Sequence, residues 1–297
     1  MVTGELPSRA ARGLQGWRAR RRMVEIGADP PPGAMTTTTQ PLPEGRESLI
    51  QSPVNVTMHE SVALIAIDDG KANVLDLDVT ERFNQALVQA EQDARAVVIA
   101  GRPGYLSAGL DMNVVLASDD TTTELLRRAI EMVLRLNEYT RPVVAACTGH
   151  AVAAGAALLL CSDMRIGALG DYKIGFIEVS RGLPMSELAV ELARARLSHR
   201  YVRLACNAAQ TYSPDQAVDV GFLDATAPPE EVIDRAVTAA TDMADRLDPE
   251  AFASTRRAMC RALSEVIVHT SADLVQVTRD FRRGYKAGGV PSEKPSG

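Results

Sequence analysis

The sequence predicts an α/β fold of repeating strand-strand-helix units, closed by a helical C-terminal region. Short apolar runs of strand length recur from residue 54 onward, and stretches with the period of an amphipathic helix separate them. Beyond residue 228 every apolar pattern has helical period. A chain of 297 residues, 46% of them hydrophobic, can bury a full core without a disulfide or a metal. We therefore expect one folded body with appendages.

The first third of the folded part supplies the clearest elements. Residues 54–58 alternate between apolar and polar, and residues 61–67 form an apolar run, so the two predict a strand pair. Apolar residues at helical spacing predict a helix over residues 78–92, and a buried strand follows over residues 95–100.

The same reasoning extends to the rest of the chain. The further predicted helices are 111–117, 123–139, 153–161, 186–197, 229–246, 250–263 and 266–284, and the further predicted strands are 142–147, 164–167 and 172–174.

The first 50 residues have a different composition, with six arginines between residues 9 and 22 and a Pro-Pro-Pro-Gly run that ends at Gly33. Such a composition favours disorder. Met35 is a plausible start of a shorter protein, so we interpret residues 1–34 as an upstream translation artefact or inert tail, ahead of a targeting peptide. Binding of RNA by the arginine cluster is the last of the three hypotheses.

These features divide the chain into an N-terminal extension, 1–50, a core of strand-strand-helix units, 51–225, and a C-terminal helical region, 226–297.

Bulk properties exclude several classes of protein. The net charge of −6 and the pI near 5.4 argue against a body that binds nucleic acid. The sequence has no 18-residue apolar run, which argues against a membrane span, and its four histidines are too scattered for a metal site. The four cysteines lack metal-ligand spacing, so we expect reduced core thiols and a cytoplasmic protein.

Two short segments of small residues carry the main functional signal. Residues 107–111, Ser-Ala-Gly-Leu-Asp, follow one predicted strand, and residues 148–156, Thr-Gly-His-Ala-Val-Ala-Ala-Gly-Ala, follow another and open an apolar helix. Small residues let main-chain N–H groups approach a ligand, and the first N–H groups of a helix are unpaired and partly positive. Two such groups aimed at one point would stabilise a carbonyl oxygen that becomes negative.

These two segments, with residues 67–75, 175–178 and 212–223, resemble the enoyl-CoA hydratase/isomerase (crotonase) superfamily. The resemblance implies a crotonase-like ββα spiral with a C-terminal helical cap, assembled as a homotrimer or hexamer. It implies an acyl-CoA substrate, of which coenzyme A is a part, and no separate cofactor.

The resemblance also assigns site residues. The main-chain N–H groups of Leu110 and Ala154 would form the oxyanion hole. The residues expected to contact substrate or coenzyme A are Lys71, Ala72, Asn73, Ala108, Gly109, Asp111 and Gly155.

Three of the singled-out side chains have a second interpretation. Lys71 suits a phosphate of coenzyme A, and a solvated turn is nearly as good an account. Asp111 suits a helix cap. We expect His150 to be a packed, hydrogen-bonded residue rather than a ligand contact.

One departure from the resemblance decides the favoured reaction. Hydratases of the superfamily carry two glutamates; here the second falls on Glu178, and the first position holds Ala157. Glu178 has apolar neighbours in the sequence. Apolar surroundings raise the pKa of a carboxyl group, and a raised pKa suits a base that must hold and release a proton. One such group can move a double bond, whereas hydration is easiest with two. We therefore expect an isomerase with Glu178 as its single acid/base.

Two alternatives stay open. The first is an enoyl-CoA hydratase that uses Glu178 and a positioned water, with Glu187 as a second acid. The second is a catalytically weak scaffold that binds acyl-CoA.

Overall fold

A computed structural model describes residues 52–272 and 278–279. The predictions for residues 1–50 therefore lie outside the described residues, as do those for most of the last 25 residues. The described strands are β1 (Val54–His59), β2 (Val62–Ile67), β3 (Val74–Leu75), β4 (Ala96–Gly101), β5 (Gly104–Ser107), β6 (Gly109–Leu110), β7 (Val143–Cys147), β8 (Gly149–Val152), β9 (Met164–Ala168), β10 (Ile174–Gly175) and β11 (Ala225–Ala227).

Nine α-helices lie in the described part of the chain: α1 (Leu77–Asp93), α2 (Met112–Ala117), α3 (Asp119–Asn137), α4 (Ala154–Cys161), α5 (Glu187–Arg196), α6 (Val202–Cys206), α7 (Pro214–Val220), α8 (Val232–Arg246) and α9 (Pro249–Ala272). Short 3-10 helices occupy Val179–Arg181 and Pro229–Glu231.

The strands form three sheets. The largest has six strands in the order β1-β2-β4-β7-β9-β11, and all its pairs except the antiparallel β1-β2 hairpin are parallel. A second sheet has the order β10-β8-β5, and β3 pairs with β6 in a third. Parallel neighbours require crossovers, which the helices supply, so the chain repeats the predicted strand-strand-helix unit.

The two faces of the large sheet bury two different cores. Along β4, Val97 and Ile99 point into the larger core, while Val98 points to the opposite face. On that opposite face α8 packs through Ala236 and Ala240, both fully buried. The small alanine side chains let this helix lie close to the sheet.

Local sequence explains where the helices differ from their predicted bounds. Helix α3 begins at Asp119, four residues before the predicted start, because Ser118 and Thr121 form a reciprocal capping box. The predicted break between residues 263 and 266 is absent, since α9 continues to Ala272. Helix α6 and strand β8 were not predicted, because each spans at most five residues and has no distinct period.

An ion pair between a buried and a half-buried side chain ties α9 to the body. Asp163, directly before β9, pairs with Arg256 and also accepts a hydrogen bond from the N–H of Val143 at 2.8 Å. Arg256 is buried and also donates to the carbonyl of Leu136 at 3.0 Å. Such a pair holds geometry more than it adds stability. Among the residues described, no helix is long and apolar enough to cross a membrane.

Candidate active site

Two buried side chains join the loop at residues 67–75 to the first segment of small residues, 107–111. Asn73 is fully buried, and its Nδ2 donates to the carbonyls of Ile67 at 2.8 Å and Tyr105 at 3.1 Å. Ser107 Oγ donates to the carbonyl of Asn73 at 2.7 Å and accepts from the N–H of Gly109 at 3.1 Å. These bonds fix residues 107–110 against β3. The side-chain amide of Asn73 is used in bonds between its own loop and β5, so Asn73 acts as a clamp that holds these two segments together.

The first segment then directs its next N–H toward the interior. Asp111 donates its N–H to the carbonyl of Leu75 at 3.1 Å, within the β3-β6 pairing. Because successive main-chain groups of a strand point to opposite sides, the N–H of Leu110 faces away from β3. Leu110 lines the same cavity as Ala154, the first residue of α4.

The second segment enters α4 through an unusual backbone conformation. Ala153 has φ 53° and ψ −123°, a region that glycine tolerates and that costs other residues about 1–3 kcal/mol. Its N–H donates to the carbonyl of Gly175 at 3.1 Å, and its carbonyl accepts from Ala156 at 2.9 Å. The N–H of Ala154, the first of the helix, has no acceptor among the described residues. It lies at the partly positive end of α4.

These groups surround one cavity of about 330 Å³. Its lining includes four of the predicted site residues, Ala108, Leu110, Ala154 and Glu178, together with Ala157. Most of the remaining wall is aliphatic and comes from α3, α5 and the segment between Glu178 and α5. A concave, apolar site with few convergent polar groups is the usual form of a small-molecule site.

Glu178 is the carboxylate of this cavity. It lies directly after β10 and the residues Phe176 and Ile177, and it starts the 3-10 helix whose last N–H, that of Arg181, bonds to its carbonyl at 2.9 Å. Burial raises the pKa of Glu178, and the main-chain N–H groups of Glu178 and Ile177 offset part of that rise. Its Oε2 atom is buried and accepts no hydrogen bond from the described residues. A carboxylate with one buried oxygen left unpaired is a strong candidate for proton transfer.

Several predicted residues do not line this cavity. Lys71 is exposed on its turn, and Asp111 caps α2 by accepting from the N–H of Asn113 at 2.8 Å. Gly155 faces the first segment: a Cβ there would lie 2.3 Å from the carbonyl oxygen of Ser107. Glu187 is exposed in the first turn of α5. Neither Ala72 nor Gly109 contributes to the wall.

His150 is held in an aromatic cluster beside the cavity. Its ring lies 5.1 Å from that of Tyr105 and 5.4 Å from that of Tyr172. Its Nδ1 accepts from the N–H of Lys173 at 2.9 Å, so Nε2 carries the proton of the neutral ring. Burial lowers the pKa of His150, and Lys173 lowers it further.

Two contributors to the site were missed from the sequence. Arg181 lines both the main cavity and a neighbouring one of about 400 Å³, which also contains Tyr105, His150 and Lys173. Helix α3 gives one whole face to the main cavity, including Leu126 and Val133. The spacing of its apolar residues was the available signal, but it indicates a buried face without saying what the face meets.

A comparison with protein families identifies the chain. Residues 57–283 match the model of the family described as enoyl-CoA hydratase/isomerase. The chain belongs to the enoyl-CoA hydratase/isomerase family. It is an enzyme of that family, whose members act on acyl-CoA substrates, and both the predicted family and the predicted crotonase fold are confirmed.

Relatives of this enzyme carry both reaction names. A Bacillus subtilis protein named "Probable enoyl-CoA hydratase" is 28% identical over 211 residues, which are 68% of this chain and 79% of that protein. The structure of a Pseudomonas syringae enoyl-CoA hydratase/isomerase family protein superimposes with a TM-score of 0.72 at 32% identity, covering 77% of this chain and 98% of that one. For human mitochondrial delta3-delta2-enoyl-CoA isomerase the TM-score is 0.74 at 25% identity, with 79% and 96% covered.

The family assignment fits the geometry of the cavity but leaves the reaction open. Names of both hydratases and isomerases occur among the relatives. The choice between them has to come from the carboxylates that this enzyme places in its cavity.

Proposed function

We propose that this enzyme moves the double bond of a 3-enoyl-CoA to the 2-position, with Glu178 as its single acid/base. One observation carries the proposal: among the described residues that line the cavity, Glu178 is the only carboxylate, and Ala157 lies in the same wall. A single carboxylate can take a proton from one carbon and return it to another. Adding water is easiest when a second polar group activates the water.

The proposed reaction has two proton transfers. The Glu178 carboxylate removes a proton from C2, and the electrons of that C–H bond move into the thioester, which becomes a dienolate. The protonated Glu178 then gives the proton to C4, the double bond comes to rest between C2 and C3, and the carboxylate is regenerated. No water is consumed and no redox partner is needed. Coenzyme A takes part only as the thioester portion of the substrate.

Two main-chain N–H groups would stabilise the negative charge of the dienolate. In this proposal the N–H groups of Leu110 and Ala154 donate to the thioester oxygen, which bears most of the negative charge. The unpaired N–H of Ala154 and the orientation of Leu110 support this role. Removing one such donor typically costs about 10²–10³-fold in rate.

Hydration is the second candidate, because relatives carry hydratase names. It would require a water held by a group other than residue 157. Glu187 is the acid that the sequence offers, but it is exposed and outside the cavity wall, which favours isomerisation.

The deciding experiment incubates the purified enzyme with 3-enoyl-CoA and with 2-enoyl-CoA and follows both products by mass and chromatographic retention. Isomerisation leaves the mass unchanged and shifts retention, whereas hydration adds the mass of water. A water adduct as the main product from 2-enoyl-CoA would replace this proposal with the hydratase. Binding of acyl-CoA without any product would support the alternative of a catalytically weak scaffold that binds acyl-CoA.

We also propose a homotrimer or hexamer, on the family resemblance, and a cytoplasmic location, on the cysteine usage. Light scattering of the purified protein measures the first, and fractionation of the source cells measures the second.

A further inference from the structure

Apart from Glu178, the wall of the cavity is almost entirely aliphatic. The other polar side chains among its described lining residues are those of Arg181 and Ser186. Arg181 is exposed and also lines the neighbouring cavity, so it lies at the mouth. The hydroxyl of Ser186 accepts from the N–H of Ala189 at 3.2 Å and caps α5. No aromatic ring belongs to this described wall.

Most of its aliphatic side chains come from two helices. From α3 come Leu126, Ala129, Ile130 and Val133, and from α5 come Leu188, Ala189 and Leu192. The spacing of three and four residues means that each helix presents one continuous stripe. A hydroxyl, a carboxylate or a charged substituent on a ligand would lose its hydrogen bonds to water here without replacement, which is costly.

Two estimates give the size of the group that fits. An apolar cavity of about 150 Å³ holds the six carbons of benzene, so a cavity of 330 Å³ corresponds to roughly a dozen carbons. The stripe from Leu126 to Val133 is about 10 Å long at ~1.5 Å per residue. An extended chain advances about 1.2 Å per bond, so the stripe matches about eight bonds.

We infer that the enzyme selects unsubstituted acyl groups of about 8–12 carbons, and that the small side chain of Ala129 in the α3 stripe keeps part of this room open. This inference rests on the proposed use of the same cavity for the acyl group. It adds the class of acyl chain, which the family assignment leaves undefined.

The test measures binding, so that it does not depend on turnover. The probes are butyryl-, decanoyl- and hexadecanoyl-CoA, each saturated, titrated by calorimetry below its micelle concentration. Decanoyl-CoA should bind at least about 30-fold more tightly than butyryl-CoA, within a ceiling of about 3 × 10³-fold for six buried methylene groups. The affinity for hexadecanoyl-CoA should exceed that for decanoyl-CoA by no more than about threefold, because the decanoyl chain already fills the cavity.

Two variants test the wall in opposite directions. Ala129→Leu adds three carbons to the stripe and should weaken decanoyl-CoA binding at least about tenfold, while butyryl-CoA stays within about threefold. Ile130→Ala opens the wall and should strengthen hexadecanoyl-CoA binding at least about fivefold. The matched control, Ala258→Leu, places the same change on an exposed position of α9 and should leave all three affinities within about twofold.

The outcomes separate the two proposals. Equal affinity for butyryl- and decanoyl-CoA, or a further large gain for hexadecanoyl-CoA, would overturn the chain-length inference whatever reaction the enzyme catalyses. The predicted order of affinities, with no conversion of any enoyl-CoA, would overturn the proposed isomerisation and leave the chain-length inference standing.

Discussion

Gly109 and Ala153 touch where the two segments of small residues meet. A Cβ on Gly109 would lie 2.9 Å from the Cβ of Ala153, and Gly109 has φ +93°. The same Cβ would lie 3.4 Å from the main-chain nitrogen of Ala154. The spacing of the two proposed oxyanion donors therefore depends on glycine at one position and a side chain no larger than a methyl group at the other.

This contact predicts coupled effects on stability. Gly109→Ala should lower the free energy of unfolding by about 2–5 kcal/mol, because it adds both a methyl clash and an unfavourable φ. Ala153→Gly alone should change it by no more than about 1 kcal/mol, since relief of the strained φ and loss of chain stiffness oppose each other. The double variant should recover about 1–2 kcal/mol of the loss from Gly109→Ala, because the clash is gone. Urea denaturation measures all three, and strictly additive effects would mean that the two methyl groups do not meet.

Replacing the acid/base group should abolish turnover without preventing binding. Glu178→Gln keeps the shape of the side chain but cannot accept the C2 proton, so kcat should fall by about 10²–10⁴-fold. Acyl-CoA affinity should stay within about threefold, because the apolar wall is unchanged. Glu187→Gln is the matched control, and its exposed position predicts turnover within about twofold of the wild type. Turnover of Glu178→Gln within threefold of wild type would remove Glu178 from its role.

The raised pKa of Glu178 also predicts a dependence of stability on pH. Burial raises the pKa above the ordinary glutamate value, so between those two pKa values the folded enzyme retains a proton that the unfolded chain has lost. Stability then falls as pH rises through this window and stays reduced above it. Glu178→Gln lacks this ionisation and should melt at a higher temperature than wild type at pH 8, with the difference vanishing below the ordinary pKa of a glutamate. Calorimetric scans at several pH values test this, and a difference in Tm that is constant with pH would contradict it.

The clamp residue Asn73 should matter more for structure than for chemistry. Asn73→Ala removes bonds to the carbonyls of Ile67 and Tyr105 and leaves both groups buried, which predicts a loss of about 2–4 kcal/mol in the free energy of unfolding. Asn55, exposed on β1, makes one bond to Ser52, and Asn55→Ala should cost no more than about 0.5 kcal/mol. Equal losses in the two variants would show that the clamp is not needed.

The sequence predicted those features of the fold that have a local cause. Strands β2 and β4 are apolar runs of full strand length, and Ser186 caps α5 at the start of the helix predicted over residues 186–197, so neighbouring residues determine these elements. The family resemblance, and not periodicity, predicted the four site residues that line one cavity: Ala108, Leu110, Ala154 and Glu178. Periodicity alone would not have brought them together, because the four residues span 70 positions of the chain.

What the sequence did not predict depends on contacts between distant residues. Asn73 resembles any turn residue until Tyr105, 32 positions away, supplies a carbonyl for it. Gly155 resembled a ligand contact, but the carbonyl of Ser107 excludes any side chain at that position. Both roles arise from tertiary packing, for which a single sequence carries no local signal.

Ala157 offers the most direct test of why one carboxylate favours isomerisation. Ala157→Glu would place a second carboxylate in the wall of the same cavity as Glu178. Two carboxyl groups that share an apolar site cannot both ionise easily. The acid limb of the pH–rate profile for isomerisation should therefore move to higher pH. Ala157→Gln is the neutral control of the same size, and it should reduce the rate by crowding the cavity without moving that limb.

The same variant tests the proposed division between the two reactions of the family. If hydration requires two carboxylates, Ala157→Glu should form a measurable water adduct from 2-enoyl-CoA, while Ala157→Gln and wild type should not. Mass analysis of the products distinguishes them. An equal yield of adduct from wild type and Ala157→Glu would mean that residue 157 does not decide the reaction, and the lone carboxylate of Glu178 would no longer explain a preference for isomerisation.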